Sequence, residues 1–533
     1  MDGPDVTAFA TCGERIVACG SPADLLSRFP EADVVDLGNA VVVPGLNDAH
    51  AHPSWGAESL LHVDVSPEVV RSRAELVGAL AEGARRTPRG SWVRAGRYDH
   101  VRTTGGEIID RAFLDGISVE HPILVTHVAG HWGVTNSAGL ASGGLRDDDD
   151  APPGGEWGRD GAGRLNGVLY EQALFDYAYP AVARRRPTVV PSPTVEDLLV
   201  GLDRFGARLL ASGITSVCDA LVAPETLRFY QEAERQGRLP LRIGVLVGHP
   251  YLDQLADLGV MSGLGGDRVR IVGVKAFVDG AIAGRTCLLD EPFEGSDDNG
   301  IQVAGLEWLT DLAVRAQRAG VRLGVHANGD RAIRLLLEAL ETAVQEVPSP
   351  PLRHRIEHCS VVTPEILGRM KALGLVAVPF GSYVLYHGAK LLDWYGATRL
   401  ERMFAHRGFL DAGVPVAGSS DYPCAPFEPL LGIQSCVTRT SADGRRLGAS
   451  QRLSVSEALA LYTTGSAYAT GEERIKGRIA PGYLADFVAL AEHPDTCAEE
   501  EISQIPVLGT WVGGELAYQS AALSDVRGAS PHA

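Results

Sequence analysis

The organisation of this chain follows from one stretch, Pro44-Gly45-Leu46-Asn47-Asp48-Ala49-His50-Ala51-His52. The apolar β-branched run Val41-Val42-Val43 precedes it and predicts a buried strand. His50 and His52 are two residues apart, so on a strand both imidazoles point to the same side and can reach one metal ion. Neutral imidazole is a common ligand for zinc and similar ions. An isolated His-x-His pair is weak support for a metal site, because two nearby histidines are more often surface residues or hydrogen-bonded core groups.

Length, composition and charge limit the classes of protein that this chain can form. With 533 residues it is too long for one ordinary domain, and 45% hydrophobic with 22% charged residues is a globular composition. The formal net charge of -19 argues against nucleic acid or an anionic membrane as the main partner. The eight cysteines are scattered without a C-x-x-C pair, which fits neither a disulfide framework nor a zinc ribbon. We see no signal peptide and no apolar run of about 18 residues, so a soluble cytoplasmic protein is expected.

Strand-like segments alternate with helical stretches through most of the chain. Two of the predicted helices are Glu196 to Ala211 and Leu306 to Ala319. Eight alternating β/α units predict an α/β fold with a (β/α)8 TIM-like barrel. The eight predicted barrel strands are residues 41–48, 214–219, 241–247, 269–277, 322–326, 355–358, 375–379 and 414–419.

Two regions depart from this regular alternation. More than 160 residues separate the first and second predicted strands, and a structureless loop of that length is not credible. We therefore expect a large insertion after barrel strand 1, an inserted subdomain of residues 62–190. Short strand-like segments near both termini, among them Val34 to Leu37 and Lys476 to Ile479, predict a small composite β-sandwich domain. It would combine residues 1–43 and 476–533, beside a barrel of residues 44–475.

Polar side chains mark the ends of five predicted barrel strands, where barrel active sites lie. Imidazoles together with a carboxylate are what a divalent metal site needs. Each residue also has a simpler interpretation: a lysine can pair with an acid, a histidine can cap a helix, and an aspartate before Tyr422-Pro423 suits a turn. At matching positions of one barrel, coincidence is less plausible. The residues are His50, His52, Lys275, His326, His358 and Asp421.

Longer motifs surround these residues and extend over nearly the whole chain. They are Gly130-His131, Asn136 to Leu140, Gly167 to Glu171, Lys275 to Gly280, Arg285-Thr286, His326 to Ala332, Arg353 to His358, Ser420 to Pro423 and Gly477 to Phe487. With Pro44 to His52, this combination resembles the amidohydrolase superfamily. Within it, the chain is similar to amidohydrolase family 3, which includes YtcJ-like proteins and N-substituted formamide deformylases. Departures from the family pattern in the loop Asp279 to Thr286 and at Asn328 leave every ligand position intact.

The resemblance implies a site with two divalent metal ions, for which zinc is the default. His50 and His52 would bind one ion, His326 and His358 a second, and Asp421 would contact the first. A lysine ammonium has no acceptor and cannot be a ligand, but in similar enzymes the lysine reacts with carbon dioxide. The resulting carboxylated Lys275 would bridge the two ions.

The same resemblance implies roles in catalysis. Asp421 would act as the general base, with Lys275 and His326 completing the catalytic set. His131, Glu171 and Arg285 are weaker candidates for substrate contact, and a structural hydrogen bond within the insertion or loop explains each of them about as well.

The function implied is a metal-dependent hydrolase that uses metal-activated water on a carbon–nitrogen bond other than a peptide bond. Its substrate would be a small molecule with an amide, N-formyl or cyclic amide group. Two alternatives stay open: decarboxylation, cyclisation or deamination at the same metal site, and a non-catalytic protein that binds a metal or small molecule. Symmetric oligomers are common among barrel enzymes, so a homodimer is one expected assembly.

Overall fold

The computed structural model describes residues 7–184 and 186–523. Parts of the predicted composite domain (residues 1–6 and 524–533) and residue 185 of the predicted insertion lie outside the described residues. The strands in the described part are β1 Ala8–Cys12, β2 Arg15–Gly20, β3 Val41–Pro44, β4 Leu46–Ala51, β5 Val63–Asp64, β6 Val93–Tyr98, β7 Ile123–His127, β8 Trp132–Thr135, β9 Gly155–Arg159, β10 Leu165–Glu171, β11 Ile214–Val222, β12 Arg242–Gly248, β13 Val269–Phe277, β14 Leu323–Ala327, β15 Arg355–His358, β16 Val376–Val378, β17 Phe487–Leu490, β18 Val507–Val512 and β19 Glu515–Gln519.

The α-helices lie mostly between these strands. They are α1 Pro22–Arg28, α2 Pro53–Ser59, α3 Arg73–Arg86, α4 His100–Thr104, α5 Arg111–Asp115, α6 Ser137–Ser142, α7 Gln172–Ala178, α8 Val195–Ala211, α9 Pro224–Arg235, α10 Leu252–Asp257, α11 Leu306–Ala319, α12 Asp330–Glu346, α13 Pro364–Ala372, α14 Tyr383–Leu400, α15 His406–Ala412, α16 Pro429–Thr438, α17 Val455–Ala460 and α18 Ser466–Thr470.

Seven parallel strands form a nearly closed barrel in the order β16-β15-β14-β13-β12-β11-β4. Every residue of β11 and β12 is buried, because helices cover the outer face while side chains fill the interior. Helices α8 and α11 confirm the two helices predicted from the sequence within one residue. The mixed α/β class is therefore confirmed.

The predicted eighth barrel strand, residues 414–419, does not form a regular strand. It makes isolated parallel bridges, Ala377 with Val416 and Phe380 with Ser419, and Gly418 O accepts from Ala49 N at 3.0 Å on the other side. Pro415 has no N–H to donate to a strand ladder. The segment thus lies in the gap between β16 and β4 and joins them by isolated backbone hydrogen bonds.

The first predicted strand, residues 41–48, is divided in two at Gly45. Residues before it form β3, which pairs antiparallel with β17, while those after it form β4 in the barrel. A Cβ atom at Gly45 would lie 2.1 Å from Thr215 Oγ1, so the glycine is needed for close packing at this junction. The φ of Gly45 is not in the left-handed region, so close packing and not an unusual turn requires a glycine here.

Strands from both ends of the chain meet in one antiparallel sheet of order β19-β18-β17-β3, and β1 and β2 form a separate hairpin. Phe9 of the hairpin contacts Phe487 of the sheet, with ring centroids 4.9 Å apart. The predicted strands at Val34 to Leu37 and Lys476 to Ile479 are wrong, since both segments are irregular. The description of this region as a sandwich, and its limits, stay predictions.

Between β4 and β11 the chain forms a second, six-stranded sheet of order β5-β6-β7-β8-β10-β9. Its own apolar cluster includes Leu76, Leu80, Val125 and Trp132. The limits 62–190 for an inserted subdomain stay a prediction.

No helix in the described ranges is long and apolar enough to cross a membrane. The eight cysteines are all free thiols, so no disulfide contributes to the fold of the described residues.

Candidate metal centre

The strand register brings the predicted ligands to one end of the barrel. His326 on β14 pairs with Phe277 on β13, and His358 on β15 pairs with Ala327. Lys275 lies two residues before the end of β13, and His50 lies one residue before the end of β4. Because all seven strands are parallel, these residues share the carboxyl edge of the barrel, where barrel enzymes place their sites.

The ring of His50 is fixed by a buried acid. His50 Nδ1 contacts Glu357 Oε2, and Arg355 donates to both oxygens of Glu357 at 2.7 and 2.8 Å. Although burial raises the pKa of Glu357, Arg355 and His50 hold it below its usual range. An ionised Glu357 keeps the proton of His50 on Nδ1, so Nε2 offers its lone pair to a metal.

Asp48 forms hydrogen bonds with both of the segments that carry His50 and Asp421. Its Oδ1 accepts from the backbone amides of His50 and Ser420, each at 3.1 Å. Asp421 N in turn donates to His50 O at 2.8 Å. The backbone of Asp421 is left-handed, with a φ of 55°, so the chain changes direction at this residue.

Asp421 Oδ1 lies 3.3 Å from His50 Nε2 and 3.2 Å from His52 Nε2. Zinc bonds to nitrogen and oxygen are about 2.0–2.1 Å, so two ligands of one tetrahedral ion lie about 3.4 Å apart. The described residues give His50 Nε2 no hydrogen-bond partner. Three converging donors, one of them buried and unpartnered, therefore fit a divalent cation.

His358, at the end of β15, is a further member of this group. The ligand atoms of His50, His358 and Asp421 lie within 4.8 Å of one another, so the three residues could hold a metal ion. His358 Nδ1 is buried without a hydrogen-bond partner among the described residues. Although burial raises the pKa of Asp421, His358, His50 and His52 hold it well below its usual range.

His326 lies beside this group but has another partner. Its ring is 4.5 Å from the ring of His358, yet its Nε2 lies 3.0 Å from Gly280 O and 3.0 Å from Asn328 Nδ2. The structure therefore places His326 and His358, which are predicted to bind the second ion, side by side. The Nε2 atom of His326 already has hydrogen-bond partners within the protein.

Lys275 is 1% exposed and its Nζ lies 4.8 Å from the ring centre of Phe277. Burial lowers the pKa of Lys275 to about 8, although Glu357 and Asp421 oppose this change. About a tenth of the side chains are then neutral at pH 7, far more than for an ordinary lysine. A neutral amine is the form that can react with carbon dioxide.

Of the three predicted substrate-contact residues, His131 lies next to His326 and Glu171 contacts His131. His131 Nδ1 is 2.6 Å from Glu171 Oε2, and the ring of His131 is 4.6 Å from that of His326. Arg285 instead contacts Ser296 Oγ at 3.4 Å and lies over the rings of Phe293 and Trp394.

Aromatic rings pack against three of the imidazoles. Trp55 stacks on His52 with centroids 4.4 Å apart, and Phe380 stacks on His358 at 4.3 Å. Phe277 lies against His326 at 5.1 Å. These contacts limit the rotation of the three imidazoles and so keep their nitrogen atoms directed into the site.

A second His/Asp group in the described part, Asp99, His100 and His127, fits a metal poorly. Ala129 N donates to His127 Nδ1 at 3.2 Å, which assigns the ring proton to Nε2, and that nitrogen faces His100 Nδ1 at 3.2 Å. Lys390 Nζ lies 3.1 Å from Asp99 and already supplies a cation. Hydrogen bonds and one ion pair thus account for this group.

Sequence analysis missed the residues that orient the ligands. Glu357 and Arg355 precede His358 in one motif, and Asp48 lies two residues before His50 in another. The acids were visible in the ligand motifs, but Glu357 contacts His50 and not the neighbouring His358, so sequence position did not show which imidazole it orients. Trp55 and Phe380 carried no signal, because aromatic residues are more often part of the core.

Comparisons with known proteins point to one family. The model of the amidohydrolase family matches residues 33–518. N-substituted formamide deformylase of Arthrobacter pascens is 30% identical over 528 residues, which cover 96% of this chain and 95% of that protein. The Bacillus subtilis protein YtcJ is 29% identical over 515 residues, covering 95% and 94% of the two chains.

A solved structure extends the match to the fold. It is an uncharacterised metal-dependent hydrolase from Pyrococcus horikoshii, with a TM-score of 0.73, 24% identity, and coverage of 92% of this chain and 94% of that one. The chain belongs to the amidohydrolase family. The family, the relatives and the His/Asp group together support a metal-dependent hydrolase.

Proposed function

We propose that the protein hydrolyses a carbon–nitrogen bond other than a peptide bond in a small amide, N-formyl or cyclic amide. The observation that carries this proposal is the convergence of His50 Nε2, His52 Nε2 and Asp421 Oδ1. A divalent ion held there would supply Lewis acidity, which makes water a nucleophile near neutral pH and polarises a carbonyl. Zinc is the expected ion for imidazole and carboxylate donors.

Asp421 is the proposed general base. Its pKa lies well below the usual range, so the carboxylate is ionised and free to accept a proton from the attacking water. It then delivers that proton to the leaving nitrogen, which departs as the neutral amine. His131, which Glu171 holds beside His326, is the proposed contact for the substrate. A substrate contact by Arg285 stays a prediction.

We further propose that Lys275 is carboxylated and that a second ion lies near His326 and His358. The neutral Nζ forms a bond with the carbon of carbon dioxide, loses one proton and becomes a carbamate with two oxygen donors. Native mass spectrometry should show a mass increase of one carbon dioxide in the metal-loaded protein. An unmodified mass, with Lys275→Arg binding the same amount of metal, would contradict this proposal.

Elemental analysis of protein purified without chelator, followed by a screen of N-acyl and N-formyl compounds, tests the whole proposal. About two ions per chain and release of an amine are expected. One ion per chain with release of ammonia from an amino-substituted ring would favour deamination instead. No metal uptake from added zinc would favour the non-catalytic binding protein.

A further inference from the structure

A cavity of about 220 Å³ opens beside the carboxyl edge of the barrel, and we name it the arginine cavity. Phe277 lines it, and the ring of Phe277 also lies 4.8 Å from Lys275 Nζ and 5.1 Å from the ring of His326. Within the described residues, none of the six candidate metal ligands lines this cavity. Phe277 therefore belongs to a wall between the metal centre and a separate space.

Among the described residues that line the arginine cavity, one side chain carries a charge. The polar side chains of the lining are Gln172, Arg184, His249 and Trp308. Burial, with Arg184 and Arg315 nearby, lowers the pKa of His249 to about 3, so this histidine is neutral near pH 7. Gln172 Nε2 donates to Asp176 Oδ1 at 2.8 Å. The charge of the cavity wall is therefore the single positive charge of Arg184.

The guanidinium of Arg184 has no acidic partner in the described part of the chain. Its Nη1 donates to Pro153 O at 2.7 Å, and no described carboxylate lies within ion-pair distance of it. The nearby Asp176 uses its Oδ1 to accept from the backbone amide of Arg184 at 2.7 Å and from Gln172. An arginine with free N–H groups is suited to a carboxylate, which it can bind through two parallel hydrogen bonds.

The rest of the wall is mainly apolar. The rings of Phe175 and Phe277 pack with centroids 5.1 Å apart, and Val303 adds aliphatic surface. Trp308 is 37% exposed, so the cavity is open to solvent on the side of this indole. Arg184 is itself exposed. A ligand can therefore place an apolar body against the rings and keep a charged end near solvent.

Volume and charge limit the ligand further. An apolar cavity of about 150 Å³ holds benzene, so a cavity half as large again has room for about nine heavy atoms. The arginine cavity is of that larger size. One arginine balances one negative charge, and the formal net charge of -19 on the whole chain disfavours ligands that carry several.

We propose that the arginine cavity binds a small monocarboxylate with an apolar body, of about nine heavy atoms in all. Its carboxylate lies against Arg184, and its body lies against Phe175, Phe277 and Trp308. This site is distinct from the metal centre and does not depend on the proposed hydrolysis.

Two neighbouring arginines provide a matched pair of variants. Arg184→Gln removes the charge in the cavity wall, and Arg186→Gln removes an exposed charge two residues away that does not line the cavity. Arg184 donates to Pro153 O and Arg186 donates to Pro180 O, both at 2.7 Å, so each variant loses one comparable hydrogen bond. Thermal melts should give both variants the unfolding midpoint of the wild type.

The test is isothermal titration calorimetry of the zinc-loaded protein with hexanoate, which is close to the expected size. Hexanol lacks the charge and acetate lacks the apolar body, so these two compounds are the ligand controls. We expect saturable binding of hexanoate that is about tenfold or more weaker in Arg184→Gln, because a charge-assisted hydrogen bond is lost. Binding should be unchanged in Arg186→Gln, and hexanol and acetate should bind the wild type more weakly than hexanoate.

Equal binding of hexanoate by the wild type and Arg184→Gln would place the carboxylate elsewhere, such as on the zinc ion, and would overturn the proposal. Absence of saturable binding to the wild type, or binding of hexanol as tight as that of hexanoate, would overturn it too. Trp308→Ala tests the apolar wall separately. It should weaken the binding of hexanoate and leave that of acetate unchanged, and equal effects on the two ligands would contradict the placement of the body.

Discussion

Single residues at the barrel edge act through partners that the sequence leaves far apart. Asp48 and Ser420 are 372 positions apart, yet they hydrogen-bond and place His50 beside Asp421. Likewise His50 and Glu357 are 307 positions apart. The chemistry of each ligand is therefore set by contacts with residues from other strands.

Asp421→Asn should keep the fold and lose about 10²–10⁴-fold in kcat/KM, because the amide cannot accept the proton of the attacking water. Steady-state kinetics on any substrate found in the screen would measure this. The control is Asp311→Asn, which removes an exposed carboxylate paired with Arg315 and should leave kcat/KM unchanged. Near-normal activity of Asp421→Asn would refute the role of general base.

Glu357→Gln should weaken metal affinity about 10–100-fold, because the amide no longer fixes the Nδ1 proton of His50. Competition with a zinc-binding dye measures the affinity. The matched control is Glu341→Gln, which breaks a similar two-pronged pair with Arg369 on the surface. Equal effects of the two substitutions would show that Glu357 does not orient His50.

At the scale of whole elements, one buried ion pair joins the residue between β6 and α4 to α14. Lys390 Nζ of α14 lies 3.1 Å from Asp99 Oδ2, with both side chains less than a tenth exposed. The same aspartate caps α4 by accepting from the amides of Val101 and Arg102. One residue thus stabilises a helix start and a contact between two parts of the molecule.

Asp99→Asn should lower the free energy of unfolding by about 3–5 kcal/mol, because it leaves the buried Lys390 ammonium without a counter-charge. Lys390→Met in the same chain should recover much of that loss, since neither charge is then buried alone. Urea denaturation of the two single variants and the double variant measures the coupling. Additive losses in the double variant would contradict a direct interaction.

For the whole molecule, stability should depend on pH through histidines that are buried in their neutral form. Burial lowers the pKa of His354 to about 4. The unfolded chain, with a histidine pKa of about 6.5, binds the proton first as pH falls, so stability is present above that value and is lost between about pH 6.5 and 4. His387 and His406 behave in the same way, with the pKa of each at about 3.

His354→Gln should therefore make the acid branch of the stability profile shallower, by up to about 1.4 kcal/mol per pH unit. The glutamine removes the titrating group near Gln317, which faces His354 Nε2 at 3.1 Å. Urea midpoints at several pH values above and below the histidine range measure the slope. A slope unchanged from that of the wild type would exclude a contribution from this residue.

Metal binding should also stabilise the whole molecule. At free zinc about 100-fold above its dissociation constant, binding to the folded state adds about 2.7 kcal/mol and raises Tm. Thermal melts of chelator-treated protein with and without zinc should show this shift. His52→Gln should lose it and His493→Gln, which changes a histidine near the exposed Asp495, should keep it. A shift retained in His52→Gln would place the stabilising ion elsewhere.

The sequence by itself determined the α/β class, seven of the barrel strands, the family and the set of residues gathered at the carboxyl edge. It could do so because buried parallel strands are continuous apolar runs and because ligand motifs are local. The tertiary structure decided the division of the first strand at Gly45, the irregular eighth segment and the engagement of His326 Nε2 by Gly280. It also decided which acids orient which imidazoles. These features depend on contacts between segments that are tens to hundreds of residues apart, and no local pattern of residues specifies the packing that produces them.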